Sequence, residues 1–87
     1  MKRFVFESEV FDDYNNWLLV DKRIFKKIKE LLNDIKKDAY KGLGKPEPLK
    51  HELTGYWSRR ITDEHRLIYK IYGNDILIFS CKGHYKF

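Results

Sequence analysis

A carboxylate between two prolines is the clearest candidate for chemistry in this sequence. It occurs in Pro46-Glu47-Pro48, and three arginines follow at Arg59, Arg60 and Arg66. Proline fixes its own φ and disfavours the helical region for the residue before it, so we expect Glu47 to be held extended. A stiff carboxylate beside guanidinium groups suits proton transfer and phosphate recognition. Glu47 is therefore a candidate general base, and the alternative is an ordinary solvated loop glutamate.

His84, near the C-terminus, is the second candidate for proton transfer. Its imidazole titrates near neutral pH and can therefore act as an acid or a base. Arg60 and Arg66 could clamp a phosphate, because a guanidinium group matches phosphate geometry. The alternative for these arginines is an ion pair with Asp63 or Glu64, which is common on protein surfaces and contributes little stability.

Aromatic and basic residues near these candidates could contribute to nucleic-acid binding. Tyr56, Tyr85 and Phe87 could stack on bases, although packing is the expected role of Tyr56. Lys50 and His51 extend the basic site close to the candidate base. The sequence has no zinc-ligand spacing, Gly-rich phosphate loop or Ser-His-Asp set, so we expect neither a metal nor a cofactor.

Composition and charge narrow the classes of partner. A chain of 87 residues is expected to form one domain, residues 1–87. Its 18 Lys and Arg against 13 Asp and Glu give a net charge of +5, which favours nucleic acid, an acidic protein or a membrane surface. If the charge is considered alone, the simpler interpretation is a soluble basic domain whose charge serves no anionic partner. The single cysteine indicates a reducing compartment, and no apolar run reaches the roughly 18 residues that span a bilayer. We therefore expect a cytoplasmic protein with no membrane association.

The elements that must position these residues follow from periodicity and capping. Apolar Phe4-Val5-Phe6 predicts a strand, and Ser8 is expected to cap a helix from Glu9 to Leu19. Asp21 is expected to cap a second helix with one apolar and one basic face. The apolar positions are Ile24, Ile28, Leu31, Leu32 and Ile35, and the basic ones are Lys22, Arg23, Lys26, Lys27, Lys29, Lys36 and Lys37. The basic face could be solvated or could contact a polyanion.

Three strands are predicted after a long loop from Lys41 to Gly55, and loops of this length are often functional. The strands are Tyr56 to Thr62, Glu64 or His65 to Tyr72, and Asp75 to Gly83, with Gly73-Asn74 as a hairpin signal. The order β-α-α-β-β-β predicts an α+β fold, in which two N-terminal helices pack on one face of a mostly antiparallel sheet.

Strand alternation predicts which side chains share a face of this sheet. Even-numbered residues are expected on the open face, which would bring Arg60, Arg66 and His84 together. This requires three-residue loops at both hairpins, because a two-residue turn at Gly73-Asn74 would put Arg66 and His84 on opposite faces. Cys81 has core-facing parity and is expected to be a small buried hydrophobe. The odd-numbered residues expected under the helices are Trp57, Arg59, Ile61, Leu67, Tyr69, Ile71, Leu77, Phe79 and Cys81.

Several segments together form a pattern that is more specific than any one of them. They are Lys45-Pro46-Glu47-Pro48-Leu49-Lys50, Tyr56-Trp57-Ser58-Arg59-Arg60-Ile61, Glu64-His65-Arg66-Leu67-Ile68-Tyr69 and the terminal His84-Tyr85. The chain resembles the YoeB/Txe branch of the RelE-type bacterial toxins over nearly its whole length, including Asp12-Asp13-Tyr14 and Asp21-Lys22-Arg23-Ile24. The sequence differs at Lys82-Gly83, where bulkier or more basic residues are expected, and at Lys86-Phe87, which extend beyond the family's usual terminal tyrosine.

The resemblance implies a microbial RNase-like fold and the toxin half of a type II toxin–antitoxin pair. Such toxins cleave messenger RNA in the ribosomal A site. Carried over, Glu47 would be the general base for a 2′-hydroxyl attack, Arg66 would stabilise the phosphoryl charge and His84 would be the general acid. Tyr85 would position the message. The other positions that match the site of the family are Lys50, Arg60 and Glu64.

The resemblance also implies partners. A YefM/Axe-like antitoxin would cover the C-terminal residues, the pair would bind its own promoter DNA, and a homodimer is plausible. Two alternatives stay open: a catalytically silent module of the same fold that binds RNA or antitoxin, and a small DNA-binding regulator that uses the basic helix.

Overall fold

The computed structural model describes residues 2–83, which form two helices packed against one face of a five-stranded sheet. The elements are β1 (Arg3–Phe6), α1 (Ser8–Val20), α2 (Lys22–Lys37), β2 (Glu47–Pro48), a 3₁₀ turn (His51–Leu53), β3 (Trp57–Arg60), β4 (Arg66–Tyr72) and β5 (Asp75–Ser80). The strand order is β1-β5-β4-β3-β2, with β1 parallel to β5 and every other pair antiparallel. The predicted α+β fold is confirmed, and β2 is an addition within the predicted loop.

The two helices are joined by one residue, Asp21. Its Oδ1 accepts hydrogen bonds from the backbone amides of Arg23 (3.0 Å) and Ile24 (3.4 Å), so the predicted cap of α2 is confirmed. The predicted cap of α1 is wrong. Ser8 is the first helical residue, and Glu7 occupies the cap position without a side-chain hydrogen bond, because β1 ends at Phe6 and only Glu7 connects the two elements.

The core lies between the apolar face of α2 and the sheet. Four of the five apolar positions predicted for α2 are buried, and the fifth, Ile24, packs partly buried against them. α1 contributes Val10, with Tyr14 and Trp17 at the edge, whereas Phe11 and Leu18 are about half exposed. Within residues 2–83, no helix combines the length and apolarity needed to cross a bilayer.

The hairpin between β4 and β5 departs from the prediction. Tyr72 pairs with Asp75, so the turn has two residues and not three. Gly73 adopts a φ of 60°, which suits two-residue hairpin turns and costs glycine little. The first half of β5 therefore has the opposite alternation, with Ile76 and Ile78 fully buried in the core. Leu77 and Phe79, expected under the helices, lie on the open face.

A β-bulge then reverses the alternation of β5 a second time. Tyr69 pairs with Ile78 but Ile68 pairs with Ser80, which leaves Phe79 as the extra residue. As a result Cys81 is completely buried on the core side, as its parity predicted. The β3–β4 connection agrees with the prediction, because Arg60 pairs with Arg66 and the amide of Ile61 donates to the carbonyl of His65 (3.0 Å).

Candidate active site

Glu47 is placed by a two-residue strand at the edge of the sheet. It pairs with Ser58 of β3, while Pro48 pairs with Trp57. An edge strand tolerates a proline, which has no amide hydrogen to donate. Directly paired residues of antiparallel strands project to the same face, so the Glu47 side chain lies with Ser58 on the open face. The extended, restricted backbone predicted for Glu47 is the one observed.

Glu47, Arg60 and Arg66 line one cavity of about 340 Å³ on the open face of the sheet. Lys45, Leu49, Ser58 and Ile68 complete its lining. Three cationic side chains therefore surround one carboxylate. This excess of positive charge suits a phosphodiester, and the carboxylate supplies a proton acceptor in the same cavity.

Arg66 is oriented by main-chain carbonyls of the preceding loop. One of its guanidinium nitrogens, Nη1, donates to the carbonyl oxygens of Thr62 (2.6 Å), Asp63 (3.1 Å) and His65 (3.2 Å). Among the ion pairs of residues 2–83, none involves Arg66. Its positive charge therefore faces the cavity without a neutralising carboxylate partner in that part of the chain.

Arg60 lies near Asp63, with which it would form the surface ion pair that was the alternative to phosphate binding. Its Nη1 lies 4.0 Å from Oδ1 of Asp63, which is fully exposed, and the Arg60 side chain is 53% exposed. A pair at that separation in water contributes little stability. Arg60 is consequently available to bind an anion in the cavity.

The remaining predicted site residues are not part of this cavity lining. Lys50 is exposed and precedes the 3₁₀ turn, and Glu64 is 85% exposed with Oε2 3.9 Å from Nε2 of His65. His84 and Tyr85 lie outside the described residues, as does Phe87. Tyr56 packs against Phe79, with ring centroids 5.1 Å apart, in agreement with its expected packing role.

Lys45 is a cavity residue that the sequence analysis missed. It adopts a φ of 55°, in the left-handed region, directly before Pro46. Lys45, Glu47 and Leu49 are spaced two residues apart and all three line the cavity. Alternation along an extended segment accounts for Glu47 and Leu49, whereas the left-handed backbone of Lys45 before a proline had no signal in the sequence.

Arg59 holds the loop that leads into β2, which the sequence analysis did not predict. Its side chain is completely buried, and its Nε donates to the hydroxyl of Tyr69 (3.1 Å). Nη1 donates to Oδ2 of Asp34 and to the carbonyl of Leu43. Nη2 donates to the carbonyls of residues 38 (2.7 Å) and 41 (3.1 Å). All five donors of the guanidinium group are thereby used.

A further hydrogen bond links this network to the cavity. The amide of Arg60 donates to the carbonyl of Gly44 (2.7 Å), directly before Lys45. The amide of Leu43 and then the Arg59 guanidinium hold the pKa of the Asp34 carboxyl below its ordinary value. Since a buried arginine requires partners, core-facing parity at Arg59 was a signal that such a network exists.

Comparison with known proteins identifies the family. Residues 6–85 match the model of the YoeB-like toxins of bacterial type II toxin–antitoxin systems. The chain belongs to this family. It is 51% identical over 83 residues to Toxin YoeB of Escherichia coli K12, covering 95% of this chain and 99% of that toxin. The resemblance found in the sequence is confirmed.

Solved structures of YoeB toxins from Staphylococcus aureus share the fold. A YoeB–YefM complex superposes with a TM-score of 0.89 at 46% identity, covering 98% of this chain and 99% of that one. A YoeB dimer superposes with a TM-score of 0.88 at 50% identity, covering 95% and 97%. The protein is thus a type II toxin of the RelE/YoeB type, in both sequence and fold.

Proposed function

We propose that this YoeB-family toxin is a ribosome-dependent endoribonuclease that cleaves messenger RNA in the A site and so inhibits translation. The observation that carries the proposal is the cavity that joins the Glu47 carboxylate to the Arg60 and Arg66 guanidinium groups. Family membership supports the toxic role, and the cavity supports chemistry on a phosphodiester.

The reaction uses a nucleophile that the message supplies. Glu47 takes the proton of a 2′-hydroxyl, whose oxygen attacks the adjacent phosphorus. Arg66 stabilises the negative charge that gathers on the phosphoryl oxygens. The bond to the 5′-oxygen breaks, and His84 gives that oxygen a proton, so the products are a cyclic phosphate and a 5′-hydroxyl. Positioning the base, the cation and the acid around one phosphate adds to the acceleration.

The other predicted site residues, Lys45 of the cavity and the surface of α2 bind the substrate. Arg60 and Lys45 bind phosphate in the cavity, and Tyr85 positions the message. Lys50 and Glu64 act outside the cavity lining, against neighbouring nucleotides or ribosomal RNA. The basic face of α2 gives a salt-sensitive contact with ribosomal RNA.

The partners proposed for this chain follow those of its relatives. An antitoxin of the YefM/Axe type binds the toxin, as the Staphylococcus aureus YoeB–YefM complex indicates for that relative. The YoeB dimer from the same organism supports a homodimer. The complex with antitoxin binds promoter DNA, and the toxin alone acts on ribosomes in the cytoplasm.

Cleavage of a defined message on purified ribosomes tests this function. The wild type should cut at the A-site codon, while Glu47→Gln and His84→Gln should bind ribosomes and cut about 10²–10⁴-fold more slowly. Glu30→Gln is the matched control, because it removes the same charge from an exposed position of α2.

Wild-type rates in both Glu47→Gln and His84→Gln would contradict the proposed acid and base. Ribosome binding without cleavage by the wild type would favour the catalytically silent module.

A further inference from the structure

His65 lies between the first helix and the end of the described chain. Its side chain is only 15% exposed, and its ring packs edge-on against Trp17 with centroids 4.8 Å apart. The indole Nε1 of Trp17 donates to the carbonyl of Cys81 (3.1 Å). Trp17 of α1 therefore contacts both the His65 ring and the segment that follows β5.

The imidazole makes a specific hydrogen bond to that segment. Its Nδ1 accepts the backbone N–H of Gly83 at 2.9 Å. An imidazole nitrogen accepts a hydrogen bond only when it carries no proton, so this contact requires the tautomer with its hydrogen on Nε2. Nε2 lies 3.9 Å from Oε2 of Glu64, outside hydrogen-bond distance.

Regular strand pairing does not position Gly83, since β5 ends at Ser80. The carbonyl of Gly83 accepts from the amide of Arg66 (2.9 Å), and its amide is bound by the side chain of His65. Two consecutive residues, His65 in the β3–β4 connection and Arg66 at the start of β4, therefore hold both polar groups of one glycine. Gly83 adopts a φ of 80°, a left-handed conformation that turns the chain at this point.

We propose that His65 is a positioning residue, whose Nδ1 fixes the Gly83 amide and so places the adjoining His84 for proton donation. His65 does not line the cavity with Glu47 and Arg66, which separates it from the catalytic residues. The effect on cleavage rests on the proposed nuclease function, whereas the hydrogen bond to Gly83 does not.

Two substitutions separate the acceptor from the ring. His65→Phe keeps an aromatic ring against Trp17 and removes the acceptor. His65→Asn removes the ring and keeps an acceptor oxygen close to the position of Nδ1. Ribosome binding should be unchanged in both, while single-turnover cleavage should fall about tenfold in His65→Phe and by much less in His65→Asn.

A double-mutant cycle shows whether the effect passes through His84. His65→Phe should slow the wild type but change the residual rate of His84→Gln by less than about twofold, because the residue that it positions is already lost. A merely structural role predicts the same fractional loss in both backgrounds, and that result would overturn the proposal. Equal rates for His65→Phe and wild type would also overturn it.

Amide hydrogen exchange of Gly83 tests the contact without any cleavage. His65→Phe should speed exchange at Gly83 by about tenfold, and His65→Asn should retain protection. Unchanged protection in His65→Phe would overturn the proposal even if the toxin is a nuclease. A wild type that never cleaves messages, with Gly83 exchange accelerated as expected, would overturn the nuclease function and the role in cleavage, leaving only the structural contact.

Discussion

Arg66 and Arg59 occupy neighbouring strands but have opposite surroundings. The buried Arg59 side chain donates all five of its hydrogen bonds to protein acceptors. Arg66 lines the cavity, and its Nη1 donates to three carbonyl oxygens of the preceding loop. Because their partners differ, Arg59 has a structural role and Arg66 is a candidate for catalysis.

Arg66→Lys tests that assignment. A lysine keeps the charge but cannot reproduce the planar fork, so the chemical step should slow by about 10²-fold with little change in ribosome affinity. Single-turnover cleavage at saturating ribosome concentration measures it. Arg23→Lys is the control, since the Arg23 side chain is 95% exposed on α2, outside the cavity, and the change keeps the charge of the basic face. A rate in Arg66→Lys equal to that of Arg23→Lys would remove Arg66 from the reaction.

Cys81 is expected to be inert in the folded protein. Desolvation by burial raises the pKa of Cys81 to about 12, and the residue is completely buried. The thiolate is the reactive form, so iodoacetamide should modify Cys81 only as fast as the protein opens. Mass spectrometry with and without urea follows the reaction. Rapid modification without denaturant would show that this side of the core is accessible.

The features of helices and strands that were predicted correctly depend on residues close together in the chain. Pro48 restricts the backbone of Glu47, and Asp21 caps α2. Strand alternation places Arg60 and Arg66 on one face of the sheet. The loop contacts of Arg59 were not predictable in this way. They are made to main-chain carbonyls between Asp38 and Leu43, and no side-chain pattern specifies where carbonyl groups point.

The alternation along β5 shows a second limit. The Gly73-Asn74 signal indicated a hairpin, but glycine permits turns of different length and the expected three-residue loop was wrong. The bulge at Phe79 depends on how β5 pairs with β4, which the sequence of β5 alone does not reveal. The shorter turn and the bulge each reverse the alternation of β5, so Cys81 faces the core as predicted, although neither deviation was foreseen.

Arg59→Met should test the network that supports β2. The substitution leaves the Asp34 carboxylate and several carbonyls without their donor, so the free energy of unfolding should fall by about 3–5 kcal/mol. Urea denaturation measures it. Arg60→Met is a matched control on the next residue of β3, which is exposed, and it should change stability by less than about 0.5 kcal/mol. Equal effects would mean that burial of Arg59 contributes no net stability.

At the scale of the molecule, the same network makes stability depend on acid. The folded-state pKa of Asp34 is lowered by the Leu43 amide and Arg59. Its contribution is therefore present above the unfolded-state pKa of about 3.9 and is lost as pH falls through the lower folded-state value. Asp34→Asn should be less stable at neutral pH and lose less stability below about pH 4.

Melting temperatures from pH 7 down to pH 2 provide this comparison. Asp12→Asn, at an exposed position of α1, should retain the acid dependence of the wild type. If Asp34→Asn has the same acid dependence as Asp12→Asn, the Asp34 carboxylate does not contribute to stability as described.

The molecule combines a YoeB-type fold, a net charge of +5 and, within residues 2–83, an open cavity in which the Glu47 carboxylate meets cationic side chains. In the proposed mechanism, a 2′-hydroxyl of the message is the nucleophile. A message with a single 2′-deoxynucleotide on the 5′ side of the scissile phosphate tests it directly on purified ribosomes. We predict that this message binds normally and stays intact at that phosphate, while the all-ribose message is cut. Cleavage of both messages there at equal rates would contradict the account.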